Sequence, residues 1–283
     1  MNSKKPISAR NISRREFLGD SALLTAGLAA GLRLGAAPPV PPGKIPSYNE
    51  KMEYRRLGKT DLIVSRIGMG GHWKRLDTMV SGLPAGEGYA STDYDKVRNT
   101  DFARNRHDIV SRCLEHGINY VDACAGPEIM AYSAALKGRR DKMYLGYSWY
   151  EKEPRFAEWR TAARLLQGLD EGMKQAGLDY IDVWRISCFT EGSQHTQQDI
   201  EAVITALATA KKQGKVRATG ISSHDRPWLK EMIEKYPDQI EVFLTPYTAN
   251  SKILPTDSLF DSVRKNNVGV FGIKPFASNS LFK

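Results

Sequence analysis

After residue 50 the sequence lacks a dense Lys/Arg block with interleaved aromatics. The formal charge of +9 therefore says little about nucleic acid, because residues 1–36 hold +4 of it (six Lys or Arg against Glu16 and Asp20) and leave +5 for the rest. No nucleic-acid partner is expected, and the remaining charge reads as a soluble surface biased toward anionic cofactors. Cysteine is scarce: Cys113, Cys124 and Cys188 show no C-x-x-C or other metal spacing. No metal site is expected on that ground, and the three read as small, mostly buried hydrophobes. A long hydrophobic run is also missing. The apolar stretch at 22–32 is too short to span a bilayer, so no stable membrane insertion is expected. No internal repeat is visible beyond a βα period.

What is present begins with a leader. Ser13-Arg14-Arg15-Glu16-Phe17-Leu18 follows a basic start and precedes the apolar run, an order that resembles a twin-arginine export signal. Residues 1–36 are read as that signal, and residues 37–51, with Pro38-Pro39-Val40-Pro41-Pro42, as a stiff Pro-rich linker. The resemblance implies export with the twin-arginine machinery as partner, and a periplasmic location. Pro38 disfavours a cut after Ala37, and Leu34 sits poorly for a cut after Ala36. An uncleaved leader acting as membrane anchor is the other expectation. Residues 1 to about 45 should make few contacts with the folded domain.

From residue 52 short β-rich runs alternate with longer helical patterns, the signature of βα units around a parallel sheet. Residues 54–65 read as a hairpin. Strands are expected at 67–71, 119–123, 143–147, 181–187, 216–221, 240–245 and 268–273. Helical patterns lie near 103–116, 128–137, 155–176, 197–213, 225–235 and 256–266. Residues 74–100 show no period and read as a long inserted loop.

Gly117-Ile118-Asn119-Tyr120-Val121-Asp122 and Leu136-Lys137-Gly138-Arg139-Arg140-Asp141 resemble the second strand and following helix end of the aldo/keto reductases. The hairpin resembles that family's barrel plug. The resemblance covers 52–283 and implies an α/β fold, a (β/α)8 TIM barrel with an N-terminal β-hairpin. Seven strands are counted before Lys283, so the sequence is expected to be truncated before strand eight.

In such barrels active groups sit at the carboxyl ends of the strands. The family's proton-donating Tyr, its pKa lowered by a Lys paired to an Asp, works beside a substrate-orienting His. Residue by residue, Asp122 matches the Asp, while Pro127, Ser148 and Ser187 stand where the Tyr, Lys and His belong. Strand alternation turns Arg185 inward with position 187, so Arg185 is expected to replace the lost Lys as partner of Asp122. A guanidinium does not relay protons, and Tyr150 is taken as the donor because it shares the parity of Ser148. Asp122 as a merely satisfied buried carboxylate is the bland alternative, as is a cap-region role for His224. The resemblance further implies that Ser222 and Ser223 hold the nicotinamide amide, and that Lys274, Ser278 and Ser280 wrap the pyrophosphate of NADP or NAD. The function so implied is a nicotinamide-dependent oxidoreductase of atypical catalytic set acting on a small carbonyl or sugar-like alcohol. The alternative is a catalytically inactive nucleotide- or partner-binding barrel.

Overall fold

The computed structural model describes residues 41–86, 88, 93–248 and 258–276. Residues 1–40, which include the stretch read as an export signal, and Ser278 and Ser280 lie outside the described residues. Strands β1 (Tyr54–Arg56) and β2 (Ile63–Ser65) form an antiparallel hairpin with Tyr54 opposite Ser65. Its turn needs a glycine. Gly58 has φ +56°, and a Cβ there would lie 2.3 Å from Gly269 N. This close approach brings Leu57, Leu62 and Val64 into one buried cluster with Tyr120, Tyr144, Val183, Ala218, Val242 and Leu244. The hairpin thus plugs the bottom of the strands by apolar burial.

Seven parallel strands follow: β3 (Met69–Gly70), β4 (Tyr120–Ala123), β5 (Tyr144–Tyr147), β6 (Ile181–Ser187), β7 (Val216–Ser222), β8 (Val242–Pro246) and β9 (Gly269–Ile273). They lie side by side in sequence order. Every residue of β6 is buried, as expected for a strand covered on both faces. The helices are α1 (Tyr94–Val97), α2 (Asp101–Glu115), α3 (Gly126–Ala135), α4 (Ala162–Ala176), α5 (Gln197–Lys212), α6 (Arg226–Lys235) and α7 (Leu259–Asn266). Their starts are written in the sequence. Thr100, Thr161, Thr196, Asp225 and Ser258 each accept a first-turn N–H, and Thr196 and Ser258 form full capping boxes. Helix α3 lacks a side-chain cap and has Pro127 in its first turn, where a missing N–H costs nothing.

The sheet curls. Tyr120 of β4 and Phe271 of β9 are five places apart in strand order, yet their rings stack at 4.1 Å. Strands β3 and β9 do not pair with each other among the described residues. The architecture is the incomplete (β/α)8 barrel that the sequence implies.

Three details differ from the sequence reading. The helix expected from 155 begins at Ala162, and Tyr150–Lys152 and Ala157–Trp159 form two separate 3-10 turns. Thr161 sets the start by capping the Arg164 N–H, and the segment before it is tied down by its side chains rather than by helical period. Residues 46–51, read as linker, already pack on the domain: Asn119 Nδ2 donates to Pro46 O, Ser47 Oγ to Lys142 O and Asn49 Nδ2 to Glu115 O. The long segment before α2 is more than a plain insertion, since Leu76, Val80 and Val97 bury against Phe102 and Ala131.

Candidate active site

Asp122 and Arg185 come together at the carboxyl end of the strands. Arg185 Nε donates to Asp122 Oδ1 at 2.9 Å and Nη2 donates to Oδ2, a two-pronged ion pair. Strand β5 runs between them in the sheet and leaves room through Gly146, where a Cβ would lie 2.7 Å from Asp122 Oδ1. Arg185 is 3% exposed and Asp122 19%. Burial disfavours the guanidinium charge, but the Asp122 charge and hydrogen bonds outweigh it and raise the Arg185 pKa further. Tyr120 Oη, deep in the barrel, donates to the same carboxylate at 3.3 Å.

The places of the family's Lys and His hold a second acid. Ser148 Oγ donates to Glu153 Oε2 at 2.5 Å, and the Ser187 N–H donates to the same oxygen at 2.7 Å. The Trp149 N–H reaches Glu153 Oε1 at 3.2 Å. Ser148 Oγ and Ser187 Oγ are 2.9 Å apart, and Arg185 Nη1 donates to Ser187 Oγ at 3.3 Å. Glu153 is buried, and that burial raises its pKa from 4.5 to about 7 against the hydrogen bonds from Ser148 and Ser187. Sequence reasoning missed Glu153. It sits in a stretch without period, where an acid reads as a solvated loop residue, and its signal was the pair of serines replacing larger groups.

The cofactor candidates divide. Ser222 Oγ lies 3.4 Å from Ser187 Oγ and joins the hydroxyl row. Ser223 is buried and occupied: its hydroxyl faces Phe189 O and Thr190 O and accepts the Asp225 N–H. Lys274 is exposed, with φ +55° directly after β9, and its Nζ lies 3.0 Å from His224 Nε2. Burial and then the Arg155 charge lower the Lys274 pKa, and burial, Lys274 and Arg155 lower that of His224. Among the described residues no carboxylate pairs with Arg155, His224 or Lys274, and these basic groups suit an anion. The fit to a coenzyme pyrophosphate thus rests on Lys274, His224 and Arg155 more than on Ser223. Tyr150 stands in the 3-10 turn after β5. Its N–H donates to Cys124 O at 3.3 Å, its ring lies 6.2 Å from that of Phe156, and burial followed by Glu151 raises its pKa. Among the described residues it makes no hydrogen bond to Asp122 or Arg185.

One cluster arises only in three dimensions. His72, Cys124 and Glu128 offer donor atoms within 4.8 Å of one another. His72 Nδ1 is 3.0 Å from Glu128 Oε1, and Cys124 Sγ is 3.6 Å from either ring nitrogen. Linear spacing cannot reveal it, since His72 and Cys124 stand 52 positions apart. The fully buried Glu128 carboxylate already accepts the N–H groups of His72 and Cys124. Its evident work is to stitch the β3 end to the β4 end, under Gly71, where any Cβ would strike it.

Comparison with known proteins places these features in a family. A sequence profile described as "Aldo/keto reductase family" matches residues 89–283. An L-glyceraldehyde 3-phosphate reductase of Escherichia coli K12 is 27% identical over 120 residues, 41% of this chain and 33% of that enzyme. The match thus spans about a third of the curated relative's length. An aldo-keto reductase from Bacillus halodurans in its holo form superposes with TM-score 0.54 at 23% identity over 81% of this chain and 67% of that one. A thermostable aldo-keto reductase solved with the inhibitor epalrestat gives TM-score 0.59 at 20% identity over 81% and 74%. At such identities the structural likeness speaks for the fold.

Proposed function

Because the chain belongs to the aldo/keto reductase family, we propose that it is a nicotinamide-dependent oxidoreductase acting on a small carbonyl or sugar-like alcohol with a rebuilt catalytic set. The observation that carries this reading is the buried Asp122–Arg185 pair at the carboxyl mouth, where the family resemblance expects an Asp–Lys pair. Arg185 fixes the charge of the site without titrating and, through Asp122 and Ser187, sets the geometry against which a substrate oxygen is held. Lys274, His224 and Arg155 would hold the coenzyme's anionic groups, with Ser222 toward the nicotinamide side. A bound nicotinamide, NADP by family habit or NAD, supplies or accepts the hydride. Tyr150 is retained as a candidate donor, testable by Tyr150→Phe.

A second reading has its own support. Pro127, Ser148 and Ser187 stand where the resemblance expects Tyr, Lys and His, which favours a barrel that binds nucleotide or partner without turnover. The twin-arginine motif of the leader supports export and a periplasmic or membrane-anchored location. The experiment titrates NADPH fluorescence with the full chain and then follows NADPH consumption over a panel of small carbonyls. Binding with consumption is expected. Binding alone selects the second reading, and no binding at millimolar coenzyme overturns both as nucleotide sites.

A further inference from the structure

The buried acid described above has a directed exit. A carboxylate only accepts, so Ser148 donates to Glu153 at 2.5 Å. Ser148 then accepts from Ser187 at 2.9 Å, and Ser187, its single proton used, accepts from Arg185 and from Ser222 at 3.4 Å. Donor and acceptor roles around the row are therefore fixed by one charge at its inner end. With Glu153 ionised, every hydroxyl points inward and Ser222 is left as an acceptor at the mouth. With Glu153 protonated, the row reverses and Ser222 is left as a donor. Exposure rises outward: Ser148 0%, Ser187 5%, Ser222 8%.

We propose that Glu153 is the proton store of the site, exchanging its proton with substrate oxygen at the barrel mouth through Ser148, Ser187 and Ser222. This rests on the oxidoreductase reading and deepens it. In the oxidative direction the substrate O–H bond breaks, each hydroxyl passes on one proton, and an O–H bond forms on Glu153. The electron pair of the substrate C–H bond leaves to the nicotinamide. In the reductive direction the same protons move outward and Glu153 ends as carboxylate. The groups facing Glu153 are consistent with this. Arg185 and Cys188 of the β6 region and Tyr147 of β5 are its charged or titratable neighbours, and the Trp184 indole also faces it. Helix α4 presents only Leu165, Gly168 and Leu169 to the adjoining crevice, and Lys152 beside them is paired to Glu171. The raised Glu153 pKa has the value a store working near neutrality needs.

The test has one arm that needs no turnover. Infrared difference spectra of the full chain between pH 5 and pH 9 should show a buried carboxylic acid band that vanishes on alkalinisation and is absent from Glu153→Gln. No such band overturns the proposal. The second arm measures NADPH binding by fluorescence and the pH profile of kcat/KM with a turned-over carbonyl. Ser148→Ala keeps Glu153 but cuts the row. It should leave NADPH binding intact, lower turnover on the order of 100-fold and remove the inflection near neutrality. Turnover with an unaltered profile in Ser148→Ala overturns the relay alone. A protein that binds no NADPH overturns the oxidoreductase reading and the relay with it.

Discussion

At the amino end of β6, Asp182 is 1% exposed and divides its oxygens between Arg140 at 2.6 Å and Arg217 at 2.9 Å. Three residues on, at the carboxyl end, Arg185 gives Nε and Nη2 to Asp122 and Nη1 to Ser187. The lower site sets Asp182 between two cations, and Arg217 also pairs with the exposed Asp61 at 2.9 Å. Both arginines keep an edge in solvent, 19% and 37% exposed, and stack on Tyr180 and Tyr144. The upper site has one anion and one cation paired together, with a further buried carboxylate, Glu153, that has no ion-pair partner of its own among the described residues. The difference teaches where this barrel closes itself and where it stays chemically unfinished: the bottom satisfies its charges for stability, and the mouth keeps a proton in play.

The sharpest way to break the comparison is Arg185→Met. It leaves Asp122 without its cation in a mostly buried site and should cost about 3–5 kcal/mol in urea unfolding. Adding Asp122→Asn should recover much of that loss, because the stranded charge goes too. If the single variant is as stable as wild type, the mouth pair is no more than a surface contact.

The next effect is a pH dependence. Glu153 holds its proton to about pH 7 when folded but releases it near 4.5 when unfolded. The folded chain therefore binds more protons between those values, and stability falls as pH rises. The contribution is full below pH 4.5 and lost as pH passes 7, on the order of 3 kcal/mol for a shift of this size. Urea midpoints at pH 4.5 and pH 8 measure it, and Glu153→Gln should flatten the difference. A wild type whose stability rises across that window would assign the neutral-range proton to another group.

The smallest change is expected at the bottom. Asp182→Asn keeps the shape, removes the anion that Arg140 and Arg217 share, leaves Arg217 its pair with Asp61 and weakens the bond from the Leu145 N–H. A loss of about 1–3 kcal/mol with unchanged NADPH binding is expected. A change in coenzyme affinity there would mean that the two ends of β6 are coupled.

The fold was legible because its signals are local and periodic. Strand β6 is found at 181–187 as read, and the hairpin and helices α5 and α6 lie within a residue or so of expectation. The Asp122–Arg185 contact was legible for the same reason, since alternation along a strand fixes which side chains share a face. Glu153 was not, because a non-periodic turn gives no facing rule and its burial depends on two serines 5 and 34 positions away. His72, Cys124 and Glu128 escaped likewise. Two strand ends bring them together, and no interval in the chain encodes that meeting. The late start of α4 is the opposite case: the composition before Thr161 is helical, yet the capping residue stands inside the run and sets the start.

The short bond between Ser148 and Glu153 also limits what position 148 can hold. A lysine restored at 148 would find the Glu153 carboxylate beside it before it could reach Asp122, whose oxygens Arg185 already holds. A tyrosine restored at 127 would then have no lysine to tune it. Ser148 and Arg185 thus belong together: a change at one of these positions meets the contacts of the other.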